Sequence, residues 1–169
     1  MKKFAALLLF FFSTDFIHAD SAECTRKFPG SVPLETGHRA YAVLGALQLE
    51  TDIPATPIQL CVWEGDTHTS SINVKRQDTI VIAASRFTLT HFSKAALIGA
   101  LAHELGHIVR NTHNPNPDAQ EIEREDQMAD AFAIRLIGAE PLRITYFEHT
   151  HDNALAERRI ARALKLLKK

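Results

Sequence analysis

Residues 103–107 read His103-Glu104-Leu105-Gly106-His107, a pattern that on a helix would bring two imidazoles and a carboxylate together over little more than one turn. In an α-helix, four residues advance the chain by ~6 Å and rotate it ~40° beyond a full turn, so both imidazoles project from one face. They can therefore share one metal ion. Glu104 lies ~100° around the helix from His103, close enough to contact a water on that metal without binding the metal itself. This is the geometry of a general base.

The surrounding sequence predicts a helix that begins after Ser93, as its N-cap, and ends near Arg110. Its apolar residues form one stripe that faces the core: Leu97, Ile98, Leu101, Leu105 and Ile108. The two histidines fall nearly opposite this stripe, beside Ala96 and Ala100. We expect these small residues to leave space for a cleft over the metal.

The rest of the chain predicts an α+β fold, in which a small antiparallel or mixed sheet packs on the active-site helix. Helical spacing of apolar residues predicts a first helix from Leu34 to Glu50. Short runs rich in β-branched residues are separated by turn residues, and we interpret them as antiparallel strands at 58–64, 71–75 and 79–84.

Further helices are expected on the C-terminal side of the active-site helix. Asp118 and Glu121 resemble a capping box, which predicts a helix that continues to Gly138. A last helix is predicted after Asp152 and continues to the end of the chain.

The amino terminus has the layout of a secretory signal peptide. Met1-Lys2-Lys3 precede an apolar run from Phe4 to Phe12, and small residues follow at Ala19 and Ala22. We expect cleavage after Ala19, with Ala22 as the alternative. The apolar run is far shorter than the ~20 residues that span a bilayer, so we expect no permanent membrane anchor. The protein is therefore predicted to be exported, as a periplasmic or secreted protein.

Residues 20–169 are enough for one domain of ordinary size, and we expect a single one. The formal net charge of −1 gives no reason to expect a nucleic-acid partner. Both cysteines, Cys24 and Cys61, follow the cleavage site, and an exported protein commonly oxidises such a pair. We therefore predict a disulfide, with two free thiols as the alternative.

A catalytic zinc needs a third protein ligand and one position left open for water. One candidate is His113, which follows His103 at the spacing of the metzincin pattern His-Glu-x-x-His-x-x-Gly-x-x-His. However, Arg110 stands where that pattern has glycine, and Met128 lies in a predicted helix instead of a turn. Both departures weaken the metzincin interpretation.

The other candidates lie in the helix after Asp118. In the gluzincin arrangement one acid binds the metal, and a second acid one turn later orients a ligating histidine. Asp126 and Asp130 have this spacing, whereas Glu125 lies ~100° around the helix from that line. We therefore expect Asp126 to be the ligand and Asp130 to orient a histidine, with Glu125 and His113 as alternative ligands.

These motifs together resemble the HtpX-like metallopeptidases, a family that includes the CAAX prenyl proteases and soluble periplasmic members. Residues 79–83 resemble the strand before the family's active helix, and residues 101–107 resemble the core of that helix. Residues 126–133 resemble its second motif, Glu-x-x-Ala-Asp-x-x-Ala. Thr150-His151, followed by Arg159-Ile160, is similar to its Thr-His-Pro stretch ahead of an Arg-Ile pair.

The resemblance covers roughly residues 58–165 and has two departures. Asp126 stands where the family has Glu, and Asp152 stands where it has Pro. Because the Asp side chain is one methylene shorter, the second helix must lie closer to the metal, or the acid must bind it differently.

The resemblance implies a zincin-like fold and a zinc-dependent endopeptidase, with one Zn²⁺ held by His103, His107 and Asp126. Zinc lowers the pKa of its water and polarises the scissile carbonyl, while Glu104 accepts the proton and passes it to the leaving amine. By the same resemblance, His151 stabilises the oxyanion. The implied partner is a protein or peptide substrate, including misfolded exported proteins.

Other interpretations remain open from the sequence. The chain can be a zinc-stabilised binding or chaperone-like protein of the same fold that cleaves nothing, although binding alone does not need Glu104. It can also be a zymogen in which residues 112–117 block the cleft. For a peptidase, the strand at 79–84 can pair with an extended substrate.

Overall fold

The structure is a computed structural model that describes residues 21–51, 58–63, 72–75, 80–110 and 118–168. In chain order these residues form α1 (Ser21–Lys27), β1 (Ser31–Pro33), α2 (Arg39–Leu49), β2 (Ile58–Trp63), β3 (Ile72–Lys75), β4 (Ile80–Ser85), α3 (Arg86–His91), α4 (Lys94–Arg110), α5 (Ala119–Ile137), α6 (Ala139–Thr150) and α7 (Asn153–Leu166). The α+β class is confirmed. The predicted signal peptide, residues 1–19, and the loop at 112–117 lie outside the described residues.

The four strands form one mixed sheet in the order β1-β2-β4-β3. β2 and β4 are parallel, with Ile58 opposite Ile80 and Trp63 opposite Ser85, and β1 and β3 pair antiparallel at the two sides. The prediction of a small antiparallel or mixed sheet is confirmed as mixed. The prediction that all strands pair antiparallel was wrong. β3 pairs with the side of β4 that faces away from β2, so β2 and β4 are direct neighbours and run parallel.

Strand β4 alternates between two apolar layers. Ile80, Ile82 and Ala84 belong to the main core, which contains residues of α2 and α4 to α7. Val81 and Ala83 belong to a smaller cluster with Cys24 of α1 and Phe28, which directly follows that helix. Because successive side chains of a strand point to opposite faces, the sheet is covered by α1 on one side and by the main core on the other.

The cysteine pair ties α1 to the sheet. Cys24 and Cys61 form a disulfide with their Cα atoms 5.8 Å apart, as the sequence predicted. Both residues are buried, and the side-chain amide of Gln59 donates a hydrogen bond to Cys24 Sγ at 3.2 Å. The bridge therefore fastens the first helix to a central strand.

The helices that carry the motif residues begin where the sequence predicts. Ser93 Oγ accepts a hydrogen bond from Ala96 N at 3.1 Å before α4, and Asp118 Oδ1 accepts one from Glu121 N at 2.7 Å before α5. Helix α5 ends at Gly138, whose φ of 80° favours glycine. The helix α6 that follows it was not predicted, and neither were α1 and β1. The first predicted helix, 34–50, begins only at Arg39. Within the described ranges, no helix is long and apolar enough to cross a membrane.

Candidate metal centre

Three side chains from two helices converge at one point. His103 and His107 of α4 and Asp126 of α5 each offer one ligand atom, and these atoms lie within 4.8 Å of one another. The two Nε2 atoms are 3.1 Å apart, and Asp126 Oδ1 is 3.6 Å from His107 Nε2. Two nitrogens that bind one tetrahedral metal at ~2.0–2.1 Å are ~3.4 Å apart, so the spacing suits a shared ion. The group can hold a metal ion.

A close contact between α4 and α5 brings the acid to the histidines. A Cβ atom added to Gly106 would lie 2.8 Å from Ala129 Cα and 2.9 Å from Ala129 O, which is closer than real Cβ atoms approach. Glycine at this position therefore lets the two backbones touch. Asp126 and Asp130 flank this contact on α5.

Asp130 holds the ring of His103 in place through a hydrogen bond to its Nδ1. Its Oδ1 accepts a hydrogen bond from His103 Nδ1 at 2.8 Å and another from the Tyr146 hydroxyl, and its Oδ2 accepts one from Arg159 Nε at 3.0 Å. Burial alone would raise the pKa of Asp130, but the His103 hydrogen bond and the Arg159 charge hold it below its usual value. Burial would lower the pKa of His103, but the hydrogen bond to Asp130 raises it, and with Nδ1 bonded to Asp130 a metal would bind His103 through Nε2.

Glu104 is the buried acid next to this pair of histidines. Only 4% of the residue is exposed. Burial raises the pKa of Glu104 to about 7; the nearby Asp126 charge acts in the same direction, while His103 opposes it. A carboxyl with a pKa near neutrality can both accept and donate a proton at physiological pH.

His107 can serve as a neutral ligand. Burial lowers its pKa to about 4, and the neighbouring His103 contributes in the same direction. At neutral pH the imidazole therefore keeps a lone pair that can bind a metal.

The structure places two of the three candidates for the third ligand in different surroundings. Asp126 lies with the histidines, whereas Glu125 Oε2 lies 3.9 Å from Arg110 Nε in an ion pair. Glu125 is not part of the three-residue group found among the described residues. His113 lies outside the described residues.

His151 lies at the end of α6. It is the C-cap residue, has a left-handed φ of 53°, and is exposed. Its ring packs edge-on against Phe147, with the ring centroids 6.2 Å apart. His151 is not in the metal-ligand group described above.

The prediction of a cleft beside Ala96 and Ala100 is wrong, because α6 covers that part of α4. Both alanines are buried, and Thr145 Oγ1 donates a hydrogen bond to Ala96 O at 2.8 Å. A Cβ on Gly99 would lie 2.6 Å from Pro141 O. The small residues therefore allow close packing of α6 on α4 here.

Two residues of the site were missed by the sequence analysis. Tyr146 lies on α6, a helix with no recognised sequence signal, and it contacts Asp130. Arg159 of α7 stood in the Arg-Ile pair of the family resemblance without a role. It contacts Asp126 and Asp130 of α5, and its guanidinium lies 4.3 Å from the centroid of the Tyr146 ring.

Comparison with known proteins found no match to the chain among protein-family models, curated protein sequences or solved structures.

Proposed function

We propose that the chain is a zinc-dependent endopeptidase with a zincin-like fold of the HtpX-like type. The convergence of His103, His107 and Asp126 beside the buried carboxyl of Glu104 is the observation that carries this proposal. A purely structural metal site does not require a buried acid of raised pKa next to its ligands.

The donor set favours zinc. Two imidazole nitrogens and one carboxylate oxygen are the ligands of many hydrolytic zinc sites, which keep a fourth position for water. The second acid, Asp130, supplies the histidine-orienting contact that such sites use. Asp126 is side-chain exposed to 36%, so the group is not sealed from solvent.

Zinc, when bound, lowers the pKa of water and polarises the carbonyl of the scissile bond. Glu104 acts as the general base that takes the proton from the attacking water and then donates it to the leaving amine. Its pKa of about 7 suits both transfers near neutral pH. Asp130 keeps His103 in the required tautomer throughout. His151 remains our candidate for stabilising the oxyanion.

The position of an extended substrate differs from the sequence expectation. β4 is paired with β2 on one side and β3 on the other, so the strand at 79–84 has no free edge for a substrate. Among the described strands, β3 is the sheet edge beyond β4, and it contacts the active-site helix α4. We therefore propose that a peptide would pair with β3.

The disulfide supports an exported protein, because such bonds persist mainly in oxidising compartments. Its proposed substrates are unfolded polypeptides, including misfolded exported proteins.

The test is the degradation of an unfolded protein by the zinc-loaded mature chain and by its Glu104→Ala variant. We expect cleavage by the wild type and loss of at least 100-fold in rate in the variant, since general-base catalysis contributes roughly 10²–10⁴-fold. Glu125→Ala, a neighbouring acid held by Arg110, is the matched control and should keep its activity.

Equal cleavage by wild type and Glu104→Ala would contradict the catalytic assignment. Zinc binding by both proteins without any cleavage would instead support the non-catalytic, zinc-stabilised binding protein.

A further inference from the structure

Arg159 donates a hydrogen bond to one oxygen of Asp126 and to one oxygen of Asp130, and the other oxygen of each acid faces a histidine. Arg159 Nε donates to Asp130 Oδ2 at 3.0 Å, and Arg159 Nη2 donates to Asp126 Oδ2 at 3.3 Å. The other oxygen of each acid faces a histidine: Asp130 Oδ1 is 2.8 Å from His103 Nδ1, and Asp126 Oδ1 is 3.6 Å from His107 Nε2. One guanidinium therefore contacts both acids on the side away from the imidazoles.

The guanidinium is itself held in place by its surroundings. It lies over the ring of Tyr146, whose hydroxyl is bonded to the same Asp130. Its helix α7 buries Ala156, Ile160 and Ala163 against the core. The planar, rigid fork of donors on arginine can serve two acceptors at once, which a lysine ammonium cannot do with the same geometry.

This contact matters because a carboxylate can bind a metal through one oxygen or two. If both oxygens of Asp126 bound the ion, the second would compete for the position that a catalytic site leaves open for water. Arg159 occupies Oδ2 of Asp126, so Oδ1 is the oxygen left on the histidine side.

We infer that Arg159 is a positioning residue that restricts Asp126 to a single metal-binding oxygen and so preserves the site for water. The inference rests on the proposed metal-dependent function, which it deepens. It assigns Arg159 a role that acts through Asp126 and requires no contact with the substrate.

The test compares Arg159→Gln with the wild type after loading with Co²⁺, whose visible absorption weakens as its coordination number rises. We expect weaker absorption in the variant, because the released Oδ2 of Asp126 adds to the coordination. Competition with a chelator should also show roughly 10- to 100-fold weaker Zn²⁺ binding, the usual effect of removing a partner of a metal ligand.

Arg162→Gln is the matched control, since Arg162 is one turn further along α7 and pairs with Glu123 of α5. It removes the same charge from the same pair of helices and should leave both the spectrum and the affinity unchanged. Arg159→Lys provides a second variant if Arg159→Gln does not fold, and it should show the same spectral change because one ammonium does not replace the two-acid contact.

A wild-type Co²⁺ spectrum and Zn²⁺ affinity in the Arg159 variants would overturn the inference while leaving the proposed function intact. Failure of the wild-type protein to bind either metal would overturn the proposed function and this inference together.

Discussion

Gly106 and Ala129 bring the two motif helices into backbone contact: a Cβ on Gly106 would lie 2.8 Å from the Cα of Ala129. Gly106 lies between His103 and His107 in sequence, and Ala129 lies between Asp126 and Asp130. The distance between α4 and α5 at this contact therefore sets how far the side chains of Asp126 and Asp130 must extend to reach the histidines. A ligand as short as aspartate depends on that close approach.

Gly106→Ala should push α5 away from α4 and weaken both folding and metal binding. Forcing an extra methyl group into a packed contact costs about 1–3 kcal/mol, which urea denaturation of the metal-free protein would measure. Chelator competition should show reduced zinc affinity in the same variant.

The control is Gly45→Ala, because Gly45 lies within α2 and a Cβ there would meet nothing within 4 Å. This variant should be unchanged or more stable by up to about 1 kcal/mol, owing to the higher helix propensity of alanine. Equal stability and zinc affinity in Gly106→Ala and Gly45→Ala would contradict the close-contact account.

Glu104 and His107 should have opposing effects on the pH dependence of stability in the metal-free protein. The pKa of Glu104 rises from 4.5 to about 7 on folding, so between these values the folded state holds a proton that the unfolded state loses. Its contribution to the free energy of unfolding falls as pH rises. The pKa of His107 falls from 6.5 to about 4, so its contribution rises with pH over nearly the same interval.

Glu104→Gln should remove one of these opposing effects. From pH 4.5 to pH 6.5, the change in the free energy of unfolding should then be more positive in the variant than in the wild type by about 2 kcal/mol. Urea denaturation of both metal-free proteins at the two pH values measures the difference. The same pH dependence in both proteins would argue against a buried, protonated Glu104.

Tyr146→Phe should destabilise the protein by removing a donor to the buried Asp130 carboxylate. The loss should be about 1–3 kcal/mol in the free energy of unfolding, since a buried charge would be left with one hydrogen bond fewer. Tyr41→Phe is the control, because the Tyr41 hydroxyl lies 3.4 and 3.5 Å from its two carbonyl acceptors, near the limit of a hydrogen bond. Similar losses in the two variants would show that Asp130 does not depend on Tyr146.

The disulfide should contribute substantially to stability because its cysteines are 37 residues apart in sequence. The chain-entropy model gives about 4 kcal/mol for a loop of this size, which the Cys24→Ala/Cys61→Ala variant should lose in urea denaturation. A thiol assay on the unfolded, unreduced wild type should detect no free thiol. Two titratable thiols would contradict the bridge.

The metal-ligand group could be predicted from the sequence because it depends on spacing within two helices. Four residues separate His103 from His107 and Asp126 from Asp130, and helical geometry alone puts each pair on one face. The same geometry places Glu125 ~100° around the helix from Asp126. The structure shows Glu125 in an ion pair with Arg110.

What the sequence analysis missed depends on contacts between distant elements. Tyr146 and Arg159 reach Asp130 from α6 and α7, and neither has a local pattern that signals this contact. The prediction of a cleft at Ala96 was wrong for a related reason. Small residues permit either an open space or close helix packing, and only the position of α6 decides between the two. The parallel pairing of β2 with β4 likewise follows from topology, because short apolar strands look alike in either direction.

The most direct test of the central claim is the zinc content of the purified mature protein after dialysis, measured together with that of Asp126→Ala and Glu125→Ala. We predict one zinc ion per chain in the wild type and in Glu125→Ala, and loss of zinc from Asp126→Ala. A wild-type protein without zinc, or an Asp126→Ala variant that keeps its full zinc content while Glu125→Ala loses it, would contradict the assignment of His103, His107 and Asp126 as the metal site.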